Sequence, residues 1–283
     1  MLALYSGAPQ IAVMAETLTH AALPSRALIA LGGPDWRDFL QGLITQDVET
    51  MAPGEVRFGG LLTPQGRLLY DLFVVGREDG AWLDAEAAHR DVIIQRLMMY
   101  RLRAKVTIAA DETPVSAAAD RQASGTWVRD PRLPELGWRG YGASAPAGEA
   151  AYDAHRLVLG VPGPADWGSD KTYPIEANFD LLNGIAFKKG CFVGQETTSR
   201  MKRRGQIKSR MLPIGFEGAA PAPGSEILAG ERRAGEVLSG AEGRAMAMVR
   251  LDRALGAALT VEGRPVAVEQ PEWFLAALGV EAA

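Results

Sequence analysis

The run Phe187-Lys188-Lys189-Gly190-Cys191-Phe192-Val193-Gly194-Gln195-Glu196 gathers more reactive and conformationally special residues than any other part of this chain. It holds the only cysteine of 283 residues, directly after two lysines and a glycine. A thiol attacks or ligates as its thiolate, and neighbouring positive charge favours that form. Glycine lets backbone approach a ligand closely. The competing reading is a small, inert, buried hydrophobe, the usual fate of a free cysteine.

Three further groups could do chemistry. In Leu68-Leu69-Tyr70-Asp71-Leu72-Phe73-Val74-Val75 both faces of a strand are apolar, so Asp71 is expected to be buried. A buried carboxylate needs a partner. It is either an internal ion pair, with Arg101 or Arg103 as the nearest sequence candidates, or a ligand-lining acid. In Pro174-Ile175-Glu176-Ala177-Asn178-Phe179-Asp180, carboxylates and an amide alternate with apolar residues. Such a set can read the N–H and carbonyl edge of a heterocycle, or it can be a helix N-terminus carrying favourable acids. Between Arg200 and Arg210 six of eleven residues are basic, which suits a solvated face or a grip on a polyanion, either the glutamate tail of a folate or RNA. No aromatic residue is interleaved there to stack bases.

The elements that must position these groups are legible in outline. Pro34 to Ile44 predicts a helix, with Trp36, Phe39, Leu40, Leu43 and Ile44 on one face. Val56–Leu62 and Arg67–Val75 predict a hairpin joined by Thr63-Pro64-Gln65-Gly66. A helix is expected from Ala85 to about Tyr100 with Asp84 as its N-cap, strands over Lys105–Ala110 and Val115–Ala119, and a helix over Glu149–Leu159 that stops before Gly160 and Pro162. After Lys208, short β-like runs alternate with Gly/Pro clusters, the pattern of a small barrel or sandwich.

Composition narrows the function classes. At 47% apolar and 23% charged residues this is an ordinary globular chain, long enough for about two domains. One cysteine excludes an intrachain disulfide and a Cys₄ metal or cluster site. His20, His89 and His155 show no metal-ligand spacing. A net charge of −4 argues against non-specific nucleic-acid binding by the whole molecule, although tRNA binding through the basic run stays open. There is no phosphate loop, no dinucleotide fingerprint and no nucleophile elbow. No apolar run approaches the about 20 residues of a membrane span, so no membrane partner is expected. Residues 1–14 have neither the basic and apolar regions of a secretory signal nor an arginine-rich transit composition. The expectation is a cytoplasmic protein with a flexible extension over residues 1–16.

The string K-G-C-[FY]-x-G-Q-E, unbroken at Lys189–Glu196, resembles the signature of the YgfZ family, folate-binding relatives of the glycine-cleavage T-protein that serve iron–sulfur cluster assembly. Further segments are similar: Phe39-Leu40-Gln41-Gly42 with Thr45 and Asp47-Val48, Leu62-Thr63-Pro64-Gln65-Gly66-Arg67 through Asp71, Tyr100-Arg101-Leu102-Arg103 with Lys105-Val106, Arg156 to Pro162, and Pro174 through Phe187. The resemblance implies an α+β, T-protein-like cloverleaf: a folate-binding α/β region over residues 17–207, as two interwoven subdomains, and a C-terminal β-barrel over 208–283. It implies tetrahydrofolate or another reduced folate as cofactor and iron–sulfur assembly proteins as partners. It places Asp71, Arg156, Glu176 and Asn178 at the folate site together with Lys189, Gly190, Gln195 and Glu196, and makes Cys191 and Asp71 the reactive groups. T-proteins pair two acids where this chain has Tyr70-Asp71, and they lack the thiol motif. Both departures favour an iron–sulfur accessory factor over the alternatives, a folate-dependent aminomethyl or one-carbon transferase and a tRNA-modification partner.

Overall fold

The computed structural model describes residues 18–205 and 207–279. The expected extension over residues 1–16 lies outside them. Strand Leu68–Arg77 organises the first layer, a five-stranded antiparallel sheet in the order Val56–Leu62, Leu68–Arg77, Gly80–Glu86, Arg26–Gly32, Thr107–Asp111. Successive side chains of a strand point to opposite faces. Tyr70, Leu72 and Val74 therefore enter one core, beneath helices Trp36–Gln41 and Arg90–Arg101. Leu68 and Phe73 enter another, shared with Phe58, Ile175, Phe179 and the barrel residues Met211 and Met246. The sequence expectation of burial on both faces holds, and it puts Asp71 on the side of Phe73.

A four-stranded antiparallel sheet, ordered His20–Ala22, Val115–Ala118, Trp138–Tyr141, Thr126–Arg129, forms the second part. It meets the first through a core that joins Leu28 and Val75 to Val115, Val128, Tyr141 and Tyr152. The third part is a closed barrel of six strands running from Ser209 to Val268. Its interior is filled by aliphatic residues with Phe216 and Phe274. The expected α+β architecture with a terminal barrel is what the chain forms.

Local boundaries moved. The helix expected over 34–44 ends at Gln41, because Ile44 leaves it to bridge Leu61 in the neighbouring strand. The helix expected from Ala85 begins only at Arg90, after a 3₁₀ turn over Ala87–His89. Strand Gly80–Glu86 continues through Asp84, which is fully buried and caps nothing. Residues 174–183 form consecutive turns in place of a helix, held by left-handed Asn178 (φ 61°) and Asn183 (φ 56°), a conformation asparagine tolerates better than most residues.

Candidate functional site: a charge-lined cavity and a presented thiol

Strand register assembles the cavity floor. Asp84 lies opposite Phe73 on one side and Leu28 on the other. Side-chain alternation then places Asp71, Phe73, Asp84 and Arg26 on one face. Arg26 donates from Nη1 to both Asp71 oxygens at 3.0 Å, from Nε to Asp84 Oδ1 at 2.7 Å and from Nη2 to the Asp84 carbonyl at 2.8 Å. Arg139, from the second sheet, donates from Nε to Asp84 Oδ2 at 3.0 Å and lies 3.8 Å from the Phe73 ring centroid. Tyr141 also donates to Asp84. Arg132 donates to Asp130 at 2.7 and 2.9 Å and to the Tyr152 hydroxyl at 2.5 Å. Three arginines thus face three aspartates in a nearly dry layer, where each charge needs its partner.

Above this floor is a cavity of ≈ 250 Å³ lined by Arg26, Asp71, Phe73, Arg132, Arg139, Tyr152 and Arg156, with Glu86, Glu149 and Asp153 also on its wall. A larger concavity, ≈ 440 Å³ beside the tip of hairpin Arg77–Gly80, contains none of the expected site residues. Asp71 and Arg156 are therefore brought together. The partner of Asp71 is Arg26, and neither Arg101 nor Arg103. Arg156 packs on the bare backbone of Gly163, where a Cβ would lie 2.9 Å from its Cζ. It donates to Asp153 at 2.7 Å and to Asp166 at 2.9 Å, and Asp166 accepts in turn from Ser239 of the barrel.

The remaining expected ligand residues lie elsewhere. Asn178 is fully buried; its amide donates to the Met211 carbonyl at 2.6 Å and its oxygen accepts from Arg210 at 3.0 Å. With both ends bonded across the barrel junction it is a structural staple, which corrects its expected place at the ligand. Glu176 accepts from the Tyr173 N–H at 3.1 Å, outside the cavity lining. Burial pushes its carboxyl up despite that bond. Lys189 is corrected in the same way. Its ammonium donates to the carbonyls of Gln41, Ile44 and Gln46 at 2.7, 2.9 and 2.7 Å, binding the end of helix Trp36–Gln41, and burial pushes it down to about 8.

Cys191 is exposed. The residues on either side of Gly190-Cys191 are anchored: Lys189 is locked into those carbonyls, Phe192 enters the core shared with the barrel, and Val193 donates its N–H to the Gly42 carbonyl at 3.1 Å. Anchors on both sides hold the thiol outward. Gly194 (φ 81°) then turns the chain into helix Gln195–Arg204, lying so close to the hairpin that a Cβ would be 2.6 Å from the Thr63 carbonyl and 2.9 Å from the Gly66 Cα. Gly66 faces it with the same constraint, so the T-P-Q-G turn and the thiol motif interlock. Gly190 is exposed with open space around its Cα, and Gln195 and Glu196 form the first helical turn. None of Gly190, Cys191, Gln195 and Glu196 lines the Asp71 cavity. Lys202, Arg203 and Arg204 end the same helix, where positive charge suits the dipole. Lys202 pairs with Asp180 at 3.4 Å, and buried Arg210 with the same residue at 2.8 Å, so part of the basic run is structural.

Sequence reasoning missed Arg26, Asp84, Asp130, Arg132, Arg139 and Tyr152. The one available signal was Asp84 itself, an acid in the apolar run Ala81-Trp82-Leu83-Asp84-Ala85. Among the described residues no group of three or more His, Cys, Asp or Glu could hold a metal ion.

Residues 208–275 match the family described as CAF17, C-terminal beta-barrel domain. The chain is 29% identical to the iron–sulfur cluster assembly factor IBA57 of Mus musculus, across 89% of this chain and 84% of that protein. It is 29% identical to human IBA57 over 73% and 70%, and 32% identical to the Neurospora crassa homologue over 70% and 54%. It thus spans just over half of that fungal relative. The glycine cleavage aminomethyltransferase T of Bartonella henselae superposes with a TM-score of 0.75 at 18% identity, over 92% of this chain and 87% of that one, which shows the shared fold. All three IBA57 relatives are named mitochondrial, which overturns the expectation of a cytoplasmic protein. The chain is therefore similar in sequence to the IBA57 proteins and, over residues 208–275, to the CAF17 barrel, and it shares the fold of the aminomethyltransferase.

Proposed function

We propose that this protein is an accessory factor in iron–sulfur cluster assembly that presents Cys191 to its cluster-bearing client and binds the head of a reduced folate over Asp71. The observation that carries the first half is the outward thiol. Free cysteine is among the most buried residue types, yet here the only one is exposed between two anchored neighbours. The relatives' names supply the cluster context. The thiol motif and the T-P-Q-G hairpin it interlocks with favour the YgfZ branch in particular. The cluster is cargo on this reading, met by one thiolate from this chain.

For the folate, the fit rests on the cavity. Its ≈ 250 Å³ lies below the about 300–1,000 Å³ of clefts that enclose whole drug-sized ligands. It suits a bicyclic pterin head with the tail outside. Asp71 keeps a free lone pair on each oxygen for the N–H donors of such a ring, and Phe73 supplies an apolar wall. A bound reduced folate would supply a one-carbon carrier. Asp71 is neutralised by Arg26, which weighs against a free carboxylate stabilising an aminomethyl cation and so against transferase chemistry.

Calorimetric titration with tetrahydrofolate, 5-formyl-tetrahydrofolate and folic acid tests the ligand. Asp71→Asn should weaken reduced-folate binding by about 1–3 kcal/mol while the fold persists, because Arg26 stays bonded to Asp84. Unchanged affinity in that variant would make Asp71 a structural ion-pair partner only. The basic run does not line the cavity, whereas Glu86, Glu149 and Asp153 do. A tri-glutamyl tail should therefore give no gain over the monoglutamate at low salt, against the folate-tail alternative that the sequence left open for the basic run; tighter binding that salt abolishes would restore Lys202–Arg204 as the tail site.

A further inference from the structure

Helix Arg90–Arg101 buries Ile93 and Leu97 against its own sheet, yet it leaves large apolar side chains in water. Val92, Met98, Met99, Tyr100 and the following Leu102 are 50, 41, 69, 39 and 87% exposed. The only other exposed large hydrophobics among the described residues are Val158 and Leu278. This is a local concentration, unlike the scattered surface apolar residues that need no explanation.

Leu102 is the decisive residue. Its backbone has φ 41° and ψ −105°, a conformation that L-residues with bulky side chains avoid. Strain of this kind persists only where the surroundings impose it, and it gathers at functional sites. Here the strained turn leaves a leucine 87% exposed. Four cations belong to this segment: Arg101 and Arg103 flank Leu102 in sequence, Lys105 follows, and Arg96 lies over the Tyr100 ring at 5.9 Å. None has a carboxylate within ion-pair distance among the described residues, whereas Arg90, at the start of the same helix, is paired with Glu112 at 3.0 Å. Four positive side chains without an ion-pair partner among the described residues, on a chain of net charge −4, mark a place where negative charge is to be supplied from outside.

We propose that the surface formed by Met98, Met99, Tyr100 and Leu102, rimmed by Arg96, Arg101, Arg103 and Lys105, docks a protein partner that inserts an apolar side chain between its own carboxylates. Tyrosine, methionine and arginine are the residues enriched at protein interfaces, with an apolar centre and a polar rim. Methionine adapts its shape to a partner. A membrane surface fits less well. The helix already turns Ile93 and Leu97 to its own sheet, and the exposed run Met98-Met99-Tyr100 is bracketed by Arg96, Arg101 and Arg103, so the apolar patch is short for a face that enters lipid. The docking surface is independent of the folate and thiol readings.

The test places a photo-reactive benzophenone amino acid at position 102 of the full chain in cells, with the same group at exposed Glu231 as control. The expected adduct is a second protein, cross-linked at an apolar residue flanked by carboxylates. That protein, purified, should bind the unmodified chain, with Arg103→Glu and Leu102→Gly each weakening the complex by about tenfold or more, and with affinity falling as salt rises. Leu102→Gly should at the same time raise the melting temperature by about 2–4 °C, because glycine relieves the strained backbone. Adducts mainly to phospholipid or to a second copy of this chain would overturn the proposal. So would labelling no stronger than at position 231, or binding indifferent to Arg103→Glu. A melting temperature lowered by Leu102→Gly would remove the strain argument.

Discussion

Asp84→Ala should lower the free energy of unfolding by about 3–5 kcal/mol, the range for breaking a buried ion pair from one side. The carboxylate is fully buried and accepts from Arg26, Arg139 and Tyr141. Its loss leaves Arg139 with the Tyr152 hydroxyl at 3.5 Å and, as its nearest carboxylate, Asp130 at 3.7 Å. Against a typical total of about 5–15 kcal/mol this is a severe loss. Urea unfolding followed by tryptophan fluorescence would read it as a lower midpoint at unchanged slope. Asp252→Ala, which removes an exposed pair with Arg250, should leave the midpoint in place. An unchanged midpoint for Asp84→Ala would mean that the arginines find water, and that the floor is open instead of dry. The same network sets the acid limit. Burial alone would raise the Asp84 and Asp130 carboxyls, but Arg139 and Arg26 at the first, and Arg132 at the second, outweigh it and hold both below the ordinary carboxylate value. A folded-state value below the unfolded one means that the contribution is complete above about pH 4 and is lost as pH falls through the lowered values.

The second large effect concerns the motif glycines, which are not equivalent. Gly194→Ala should destabilise by about 2–4 kcal/mol, combining the left-handed penalty with overpacking. Its Cβ would meet backbone, the Thr63 carbonyl at 2.6 Å, so no side chain can move aside. Loss of this close approach should also loosen the hairpin end of the strand that carries Asp71, so folate affinity and stability should fall together. Gly190→Ala has open space and should stay within about 0.5 kcal/mol of the parent. Equal tolerance at both positions would show that the motif and the hairpin do not interlock.

Much of the fold was legible because it rests on local periodicity. The doubly apolar strand through Asp71, the T-P-Q-G turn and the carboxy-terminal strands each carry their signal within about ten residues. The site was less legible because its bonds are long-range. Arg26 is 45 residues from Asp71 and 58 from Asp84, and Arg139 is 55 from Asp84, so no local pattern points to them. Asp84 illustrates the cost: beside an alanine-rich run an acid reads as a helix cap, and only the register with Phe73 and Leu28 shows a strand residue. Lys189 misled in the opposite sense. Adjacency in sequence put its charge beside the thiol, whereas the ammonium turns to three carbonyls and serves as an anchor that keeps Cys191 outward.

The most direct measurement is complementation in a deletion strain, assayed as the activity of iron–sulfur enzymes. The unaltered chain should restore that activity and Cys191→Ser should not, although the exposed site predicts that the variant keeps its melting temperature and its folate affinity. Full restoration by Cys191→Ser, or no restoration by the unaltered chain, would contradict the account.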